Sequence, residues 1–547
     1  MNPVRPSQAG PPSLASGTGP ATELILAAAM ATSLAAFLAW FGPPGTDLAA
    51  HVYQRAVFLE HGFELWNNFW YAGRYSFVTY SLLYYPLAAL VGINLLAVIS
   101  IAVAAVAFAV VVRREWGATA RWSGRAFAVV WAGTVLSAAF PFVLGMAFAL
   151  LALWALQTRR RWQFGLLTAL ALAASPLAFL LLALVLGAVA LSRHGRELAL
   201  LPAAIVVTAG AAWILVWRLF PTEGRYPFPA ASLAAACVFC LLGVAFTWRV
   251  ERARLLRSIF IVYLAANVVS YVVPSTLGEN IARLRFAAIP LAILTLSLRN
   301  WRPRSFAVVA LLLAASWNVT PLAASYIRDS KDPSVTASYW QPAIGFLREN
   351  LTPSYRVEVV DTTGHWAARY LPEAGIPLAR GWFRQDDFPA NEVLYDRLGR
   401  HTYLAWLHSL AVRYVVLTDA APDYSSRAEA ALLRSGRSGL RPVFHASHLT
   451  IYEVPSAQPL VTGPGASRVV KLTERNISIV VAGPGTYRIA VRYSPYWQTS
   501  KGCIGKGRDE MLRLSTAHGG PIVLSFDFEA KRLLQPFRAP PVAGCQR

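Results

Sequence analysis

Long apolar runs alternate with short polar stretches up to about residue 322 of the chain. A membrane-spanning helix needs about 20 mostly apolar residues, and several runs reach or approach that length. Proline or arginine bounds many of them, which is typical of helix ends at a membrane surface. The pattern predicts single spans at 22–42, 86–112, 198–220, 229–248, 258–274, 286–298 and 305–322.

Two further apolar stretches, 126–157 and 163–191, begin and end beside arginine. A straight span would place its two arginine ends on opposite faces of the membrane. Pro141 interrupts the first stretch and Ser175-Pro176 the second, and proline disfavours a continuous helix. We predict a hairpin of short helices in each, giving about eleven spans in all.

The pattern changes after residue 322, where short β-type runs alternate with turns and no run reaches span length. This part divides at a Pro/Gly-rich stretch into an α/β domain, 323–455, and a β-rich domain, 456–547. Strands are predicted at 355–360, 412–418, 449–454, 476–482, 487–493 and 522–528. Helices are predicted at 338–350, 391–410 and 427–435.

Composition supports a membrane protein: 56% of the 547 residues are hydrophobic and 14% are charged. A soluble fold could not bury so much apolar surface while exposing so few charges. The fold class predicted is a polytopic α-helical membrane domain followed by an extracytoplasmic α/β plus β-rich region.

The net charge of +22 is concentrated in short loops between the apolar runs. Loops 113–125, 158–162, 192–197, 249–257 and 299–304 hold sixteen arginines and three glutamates. This is the positive-inside pattern, so these loops are predicted to be cytoplasmic and nucleic acid binding is disfavoured. The protein is then a multi-pass plasma-membrane protein in contact with membrane lipids. Its N-terminal tail, 1–21, is disordered and cytoplasmic, the membrane domain covers 22–322, and the C-terminal domains are extracytoplasmic.

Cysteine usage adds little to this picture. Cys237 and Cys240 fall inside a predicted span, where a small apolar role is usual. Cys503 and Cys545 both fall on the extracytoplasmic side, where a disulfide can persist, and the sequence leaves that pairing open.

The first outer loop, 43–85, carries the first candidate chemistry. Asp47 follows the end of the first span, and His51 comes four residues later, so a helix beginning at Asp47 would place both on one face. Such a pair could accept a proton from a polar substrate. The alternative is that Asp47 only caps an amphipathic helix containing Tyr53, Val57 and Phe58.

A second outer loop, 275–285, combines a Pro/Gly break with a polar cluster. Its members are Glu279, Asn280, Arg283 and Arg285. Arginine presents a planar set of donors that suits phosphate. The alternative is that both arginines reach towards lipid headgroups. Arginines on the outer face oppose the positive-inside trend, which favours a function.

Aromatic residues crowd the first outer loop, where they could stack on sugar rings or form an interfacial belt. The candidates for acceptor or sugar stacking are Trp66, Trp70, Tyr71 and Tyr75. The sequence contains no Walker-type phosphate loop, Rossmann fingerprint, HExxH or GxSxG motif, which disfavours an ATP-driven pump.

The organisation resembles the membrane glycosyltransferases of the GT-C superfamily. The resemblance lies in one early span, an outer loop with an acid near its start, and then Tyr80-Ser-Leu-Leu-Tyr-Tyr-Pro-Leu87. The C-terminal part is similar to the YfhO-like branch. That similarity lies in Leu410-Ala-Val-Arg-Tyr-Val-Val-Leu417, Leu449-Thr-Ile-Tyr-Glu-Val454, and Gly485-Thr-Tyr-Arg-Ile489 before Tyr493-Ser-Pro-Tyr-Trp497.

The resemblance implies transfer of a sugar from a polyprenyl-phosphate donor to an extracytoplasmic glycan, lipid or protein acceptor. In that superfamily an acid in the first outer loop is commonly the catalytic base, and Asp47 is the matching position. Arg283 and Arg285 would bind the leaving phosphate, with Glu279 orienting one of them. His51 stands where a second acid is more common, so whether a divalent cation is bound stays open.

Two other classes of function compete with the transferase. A transporter or lipid flippase would need ionisable groups near the middle of the membrane, and the predicted spans contain few. A non-catalytic envelope scaffold of the same fold would keep the architecture and would not depend on Asp47.

Overall fold

The computed structural model describes residues 19–192, 196–221 and 224–528. Residues 1–18 of the predicted tail 1–21 lie outside the described residues, and so does Cys545. Cys503 is disulfide-bonded, and Cys545, the partner that the sequence left open for it, lies outside the described residues.

The apolar part of the chain is helical throughout. Its helices are α1 (Pro20–Phe41), α2 (Leu48–His61), α3 (Tyr84–Val91), α4 (Ile93–Trp116), α5 (Arg121–Ala132), α6 (Phe140–Gln157), α7 (Arg161–Ala174), α8 (Pro176–Ser192), α9 (Arg196–Leu219), α10 (Ala230–Thr247), α11 (Arg254–Val272), α12 (Ala288–Leu298) and α13 (Arg304–Asp329). Between α2 and α3 the chain forms a two-stranded antiparallel ribbon, β1 (Trp66–Asn67) and β2 (Arg74–Tyr75).

Both predicted breaks are present, and each of the two apolar stretches is divided into two helices; α7 and α8 pack against each other, whereas α5 packs on α1, α4 and α12 and not on α6, so the first stretch is not the predicted hairpin. The first breaks at Ala138, whose φ of 50° is left-handed, and Pro141 lies in the first turn of α6, where its missing N–H costs nothing. The second breaks at the extended Ser175, before the Pro176 that begins α8. Six of the seven predicted single spans each coincide with one helix, whereas 86–112 is divided at Gly92 into the end of α3 and most of α4. Among the described residues, eight helical segments are long and apolar enough to cross a membrane, and α8 is a shorter apolar helix, so the count of about eleven spans stays a prediction.

Exposed tryptophans mark the arginine-rich ends of the helices. Trp122, Trp162 and Trp248 are 53%, 71% and 59% exposed. The guanidinium of Arg125 lies 4.9 Å from the ring centre of Trp122, and that of Arg257 lies 5.7 Å from Trp248. Aromatic rings beside cations are typical of a membrane–water interface on either side, so the cytoplasmic location of these ends stays a prediction.

The α/β part contains α14 (Ala337–Asn350), β3 (Arg356–Val359), α15 (Ala367–Glu373), α16 (Arg400–Ser409), β4 (Val412–Thr418), α17 (Arg427–Arg434), β5 (Arg441–Ala446) and β6 (Leu449–Glu453). Its sheet has the order β3-β4-β6-β5, in which β3 and β4 are parallel and the other pairs antiparallel. The carboxyl ends of β3 and β4 therefore meet at one edge. Loops that leave such an edge commonly form binding sites.

The β-rich part is a sandwich of two four-stranded antiparallel sheets, with orders β12-β13-β10-β7 and β11-β14-β9-β8. The strands are β7 (Val461–Thr462), β8 (Ser467–Leu472), β9 (Asn476–Val481), β10 (Gly485–Arg492), β11 (Trp497–Thr499), β12 (Cys503–Lys506), β13 (Met511–Thr516) and β14 (Gly520–Phe526). Alternate residues such as Ile477, Ile479, Leu512 and Leu514 are buried between the sheets, as expected for half-buried strands.

Candidate functional site

Asp47 lies in the short connection between α1 and α2, where the surrounding backbone fixes its position. Its N–H donates to the carbonyl of Ser137, at the break before α6, over 3.2 Å. The preceding Thr46 donates to Asp329 over 3.2 Å and accepts from Arg328 over 2.7 Å, at the end of α13. Asp47 occupies the N-cap position of α2, but its side chain makes no capping hydrogen bond and is partly exposed. Its carboxylate is therefore available to other partners.

Side chains from two distant parts of the chain act on that carboxylate. Burial raises the pKa of Asp47 above its ordinary value. The positive charges of Arg283, His365 and Arg384 oppose the rise, as does a hydrogen bond from the Trp382 side chain. A carboxylate with a raised pKa is a better general base near neutral pH than an ordinary aspartate.

The predicted arginine loop is a 3₁₀ segment, Gly278–Ala287, that leads into α12. The charge of its Arg283 lowers the pKa of Asp47, whereas Arg285 makes an ion pair with Glu279 over 3.2 Å. Glu279 also accepts a hydrogen bond from Ser232 on α10 over 3.0 Å. Glu279 therefore holds Arg285, and the charge of Arg283 stays available to Asp47.

Asn280, the fourth member of the predicted cluster, is partly exposed, and its N–H donates to the carbonyl of Leu277 over 2.9 Å. This contact belongs to the 3₁₀ turn itself. A role for the Asn280 side chain in binding phosphate stays a prediction.

An apolar cavity of about 560 Å³ lies between α10, α12 and α13, with Arg285 and Ser232 in its wall. Most of the other lining residues are apolar, Trp317 among them. Val238 and Leu313 line it and are nevertheless 47% and 45% exposed, so the cavity opens sideways between the helices. In a membrane such an opening faces lipid. The 3₁₀ segment thus has Asp47 on one side and a lipid-accessible cavity on the other.

The carboxyl edge of the β3–β4 pair supplies the other wall of the site. Asp361 follows β3 and Asp423 follows β4, and the N–H of Asp423 donates to the carbonyl of Asp361 over 2.8 Å. Arg384 lies between them, 2.5 Å from Asp423 and 3.2 Å from Asp361. Burial would raise the pKa of Asp361, but His365 and Arg384 outweigh it and hold that pKa at about 2. Asp361 is therefore ionised, and the ion pairs with Asp361 and Asp423 fix Arg384 in place.

His51 is buried, whereas Asp47 is partly exposed. Its ring is fully buried among aromatic rings, with Tyr84 and Phe140 at 5.4 and 6.0 Å between ring centres. Its Nδ1 lies 3.2 Å from the Tyr85 hydroxyl. Burial lowers the pKa of His51 to about 3, so the ring is neutral at physiological pH. The helix places His51 one turn beyond Asp47 as predicted, but the aromatic cluster encloses it, and its contacts fit a packing role.

The four predicted stacking residues are likewise enclosed. Trp66, Trp70, Tyr71 and Tyr75 are at most 6% exposed. Trp66 stacks on Phe526 of the sandwich at 5.0 Å, the indole of Trp70 donates to Ala368, and the Tyr71 hydroxyl donates to Phe383. They bind the first outer loop to both C-terminal domains. Their rings offer no open face to a sugar, contrary to the stacking role predicted for them, because interdomain packing covers them.

The aromatic residues that do reach the site are others. Tyr80 is partly exposed, lies 4.9 Å from Phe383 between ring centres, and has its pKa raised by burial and by Asp47. Tyr226, in the loop between α9 and α10, is partly exposed, and burial raises its pKa. The charges of Asp47 and Arg283 also act on Tyr226. In the sequence, Tyr80 is the first residue of the Tyr80–Leu87 motif and has no site signal of its own. Nothing in the pattern of the sequence distinguishes Tyr226, Trp382 or Arg384 from their neighbours.

A divalent cation would need several hard ligands close together. The described residues contain no group of three or more His, Cys, Asp or Glu side chains arranged to hold a metal ion. The acids at the β3–β4 edge are engaged by Arg384 and His365 instead.

No family model matches the chain, and no curated protein matches it. Solved structures are similar to it, among them a mycobacterial and two archaeal ones. The cryo-EM structure of the arabinofuranosyltransferase AftD from Mycobacteria has 16% identity and a TM-score of 0.47, and covers 82% of this chain. This chain spans 41% of the length of AftD.

The other two structures are oligosaccharyltransferases from Archaeoglobus fulgidus. The apo form has 13% identity and a TM-score of 0.42, over 83% of this chain and 80% of its own. AglB in complex with an inhibitory peptide and a dolichol-phosphate has 13% identity and a TM-score of 0.33, over 73% and 69%. At these identities and scores the likenesses are loose, and they leave the donor and acceptor of this chain open.

Proposed function

We propose that this chain is a glycosyltransferase of the GT-C type, in the YfhO-like branch, that works at the outer face of the plasma membrane. It would transfer a sugar from a polyprenyl-phosphate donor to a hydroxyl of an extracytoplasmic glycan, lipid or protein acceptor. The observation that carries the proposal is the Gly278–Ala287 segment, which places Arg283 at Asp47 and Arg285 at a lipid-accessible cavity.

The chemistry follows from the charges around Asp47. The acceptor oxygen would attack the anomeric carbon while Asp47 removes its proton, and the bond from that carbon to the phosphate oxygen would break. The electron pair of this bond leaves with the polyprenyl phosphate. Negative charge grows on the phosphate in the transition state, so a fixed cation there lowers the barrier. Arg283 has the planar donors for this task and already acts on the base.

The cavity supports a lipid-linked donor. Its lining is mostly apolar, with Arg285 and Ser232 among the few polar members of its wall, and it opens between α10 and α13. A prenyl chain could enter sideways from the membrane and lie along the apolar helices, with its phosphate near the arginines. Because the chain leaves one apolar phase for another, the cavity would hold it by packing contacts and shape and not by removing it from water.

A turnover assay tests the proposed function. The purified full chain in nanodiscs would be offered a panel of polyprenyl-phosphate sugars, each with a mixture of hydroxyl acceptors. We expect release of polyprenyl phosphate together with transfer of sugar for one donor of the panel. If no lipid-linked sugar binds, the transferase proposal is wrong and transport of lipids becomes the next function to test. Binding without release in any acceptor mixture would favour the non-catalytic scaffold.

Filling the cavity should weaken donor binding. Ala235 on α10 lines it, and Ala235→Phe would occupy space that the prenyl chain needs. Overpacking an apolar site costs about 1–3 kcal/mol, so the donor KM should rise about ten-fold, while kcat changes little because the charged site is untouched. Steady-state kinetics against donor concentration measure both constants.

Ala234→Phe is the matched control for this prediction. Ala234 precedes Ala235 on the same helix but is exposed and does not line the cavity. We expect its kinetics to equal those of the wild type. Equal donor KM values for the two variants would show that the chain of the donor lies elsewhere.

A further inference from the structure

Polar side chains follow one face of α11, inside a predicted membrane span. Tyr263, Asn267 and Ser270 recur at intervals of four and three residues, which places them on the same face of the helix, and all three are buried. Polar residues are costly within a membrane and commonly mark a packing or functional contact. The Nδ2 of Asn267 donates to the carbonyl of Tyr263 in its own helix, whereas the other two side chains reach outside it.

Their partners are backbone carbonyls of the Gly278–Ala287 segment. The Tyr263 hydroxyl donates to the carbonyl of Ile281 over 2.8 Å. The Ser270 hydroxyl donates to the carbonyl of Gly278 over 2.9 Å. One helix of the membrane domain therefore binds the segment at its start and near its middle.

A second helix binds the segment close to its end. Asn318 of α13 is fully buried, and its Nδ2 donates to the carbonyl of Arg285 over 2.6 Å. A 3₁₀ run longer than a few residues is uncommon because its hydrogen-bond geometry is poor, and this segment has ten residues. The three side-chain hydrogen bonds therefore stabilise a backbone that its own hydrogen bonds hold weakly.

The position of this backbone decides what its two arginines can reach. Arg285 lines the apolar cavity. The guanidinium of Arg283 lies 5.4 Å from the ring centre of Phe142, in the first turn of α6. The break before α6 also provides the Ser137 carbonyl, which accepts from the N–H of Asp47 over 3.2 Å. Arg283 and the backbone of Asp47 therefore both lie beside the start of α6.

We infer that Tyr263, Ser270 and Asn318 are positioning residues for the two arginines, acting through the carbonyls of the Gly278–Ala287 segment. The inference rests on the proposed function, in which Arg283 and Arg285 bind the leaving phosphate. It goes beyond that function, because it gives polar residues of two membrane helices a part in the transfer step. A residue that only stabilised the fold would change the unfolding temperature and leave the kcat of the folded protein unchanged.

Single substitutions that remove these hydrogen bonds test the positioning role. Tyr263→Phe and Ser270→Ala each remove a hydroxyl, and Asn318→Leu removes the amide at similar volume. In nanodiscs each should lower kcat for sugar transfer about ten-fold, because a displaced cation stabilises the transition state less. The donor KM should change little, since the apolar wall of the cavity is retained. Ser270→Thr keeps the hydroxyl and should restore kcat.

Tyr487→Phe and Ser100→Ala are the matched controls. The Tyr487 hydroxyl donates to the carbonyl of Gly483 in the sandwich over 2.9 Å, and the Ser100 hydroxyl donates to that of Leu96 in α4 over 2.7 Å. Both side chains are buried, so each control loses a buried hydrogen bond that does not involve the segment. Each should keep the kcat of the wild type, whatever its unfolding temperature.

Hydrogen exchange of the donor-free chain separates this inference from the proposed function. In the three test variants, peptides covering 278–290 should exchange about five-fold faster than in the wild type and the controls, the effect of losing one ordinary hydrogen bond. Faster exchange supports the anchoring of the segment even if the wild type transfers no sugar, in which case only the proposed function fails. Unchanged exchange in folded variants, or unchanged kcat in an active transferase, overturns the inference.

Discussion

Asp47→Asn should reduce kcat about a thousand-fold while the polyprenyl-phosphate sugar still binds. The amide has nearly the shape of the carboxylate but cannot take the proton of the acceptor, and a positioned general base contributes roughly 10²–10⁴-fold. Donor affinity should persist because the apolar cavity and Arg285 are not altered. Turnover is measured by release of polyprenyl phosphate, and binding by titration in nanodiscs.

Asp509→Asn makes the same chemical change far from the site and is the matched control. Asp509 lies in the β-sandwich, 37% exposed, in ion pairs with Arg488 and Arg513. This variant should turn over donor like the wild type. If Asp47→Asn keeps wild-type turnover, Asp47 is not the base. The absence of a capping bond at Asp47 would then have no catalytic meaning.

The fold could be predicted closely where one physical signal dominates. Apolar runs between arginines located the helices of the membrane domain, and the breaks before α6 and α8 followed from Pro141 and Pro176. Strand β4 has the predicted bounds, 412–418, because both its faces are buried and its residues are mostly apolar, with Arg413 near its start. Strands β8 and β13 were missed because charged side chains interrupt their alternation at Lys471 and Arg513.

The candidate site could be predicted only in its local part. Asp47 and Arg283 each carry a local signal, a charge next to a membrane span, and the fold brings them together. His365, Trp382 and Arg384 act on the same carboxylate from more than 300 positions along the chain. Only the docking of the α/β domain on the first outer loop makes them neighbours. A single sequence holds no signal for such a contact.

The aromatic loop shows why residue type alone cannot separate binding from packing. Trp66 and Trp70 have the composition of a sugar platform, yet both rings are covered by the C-terminal domains. Tyr80, a few residues further along, is partly exposed, and the charge of Asp47 acts on it. Burial decides between the two roles, and burial here depends on interdomain contacts that periodicity does not reveal.

Arg380→Met should destabilise the α/β domain strongly. Arg380 is 6% exposed, and its guanidinium lies 2.8 Å from Glu358 and 3.3 Å from Glu429, both fully buried. Burial raises the pKa of Glu358, and Arg380 opposes that rise. Without the arginine two buried carboxylates lack their cation, and breaking such a network costs about 3–5 kcal/mol. Thermal unfolding of the full chain in detergent, followed by tryptophan fluorescence, measures the loss.

Arg369→Met is the matched control, because Arg369 pairs with Glu373 over 3.1 Å at the surface, with both side chains more than a quarter exposed. Such pairs contribute less than about 1 kcal/mol, so its unfolding midpoint should stay near that of the wild type. The loss in Arg380→Met should shrink as the pH falls, because protonation of Glu358 and Glu429 removes the unpaired charge. Equal midpoints for the two variants at neutral pH would show that the buried glutamates are already protonated and that Arg380 contributes little to stability.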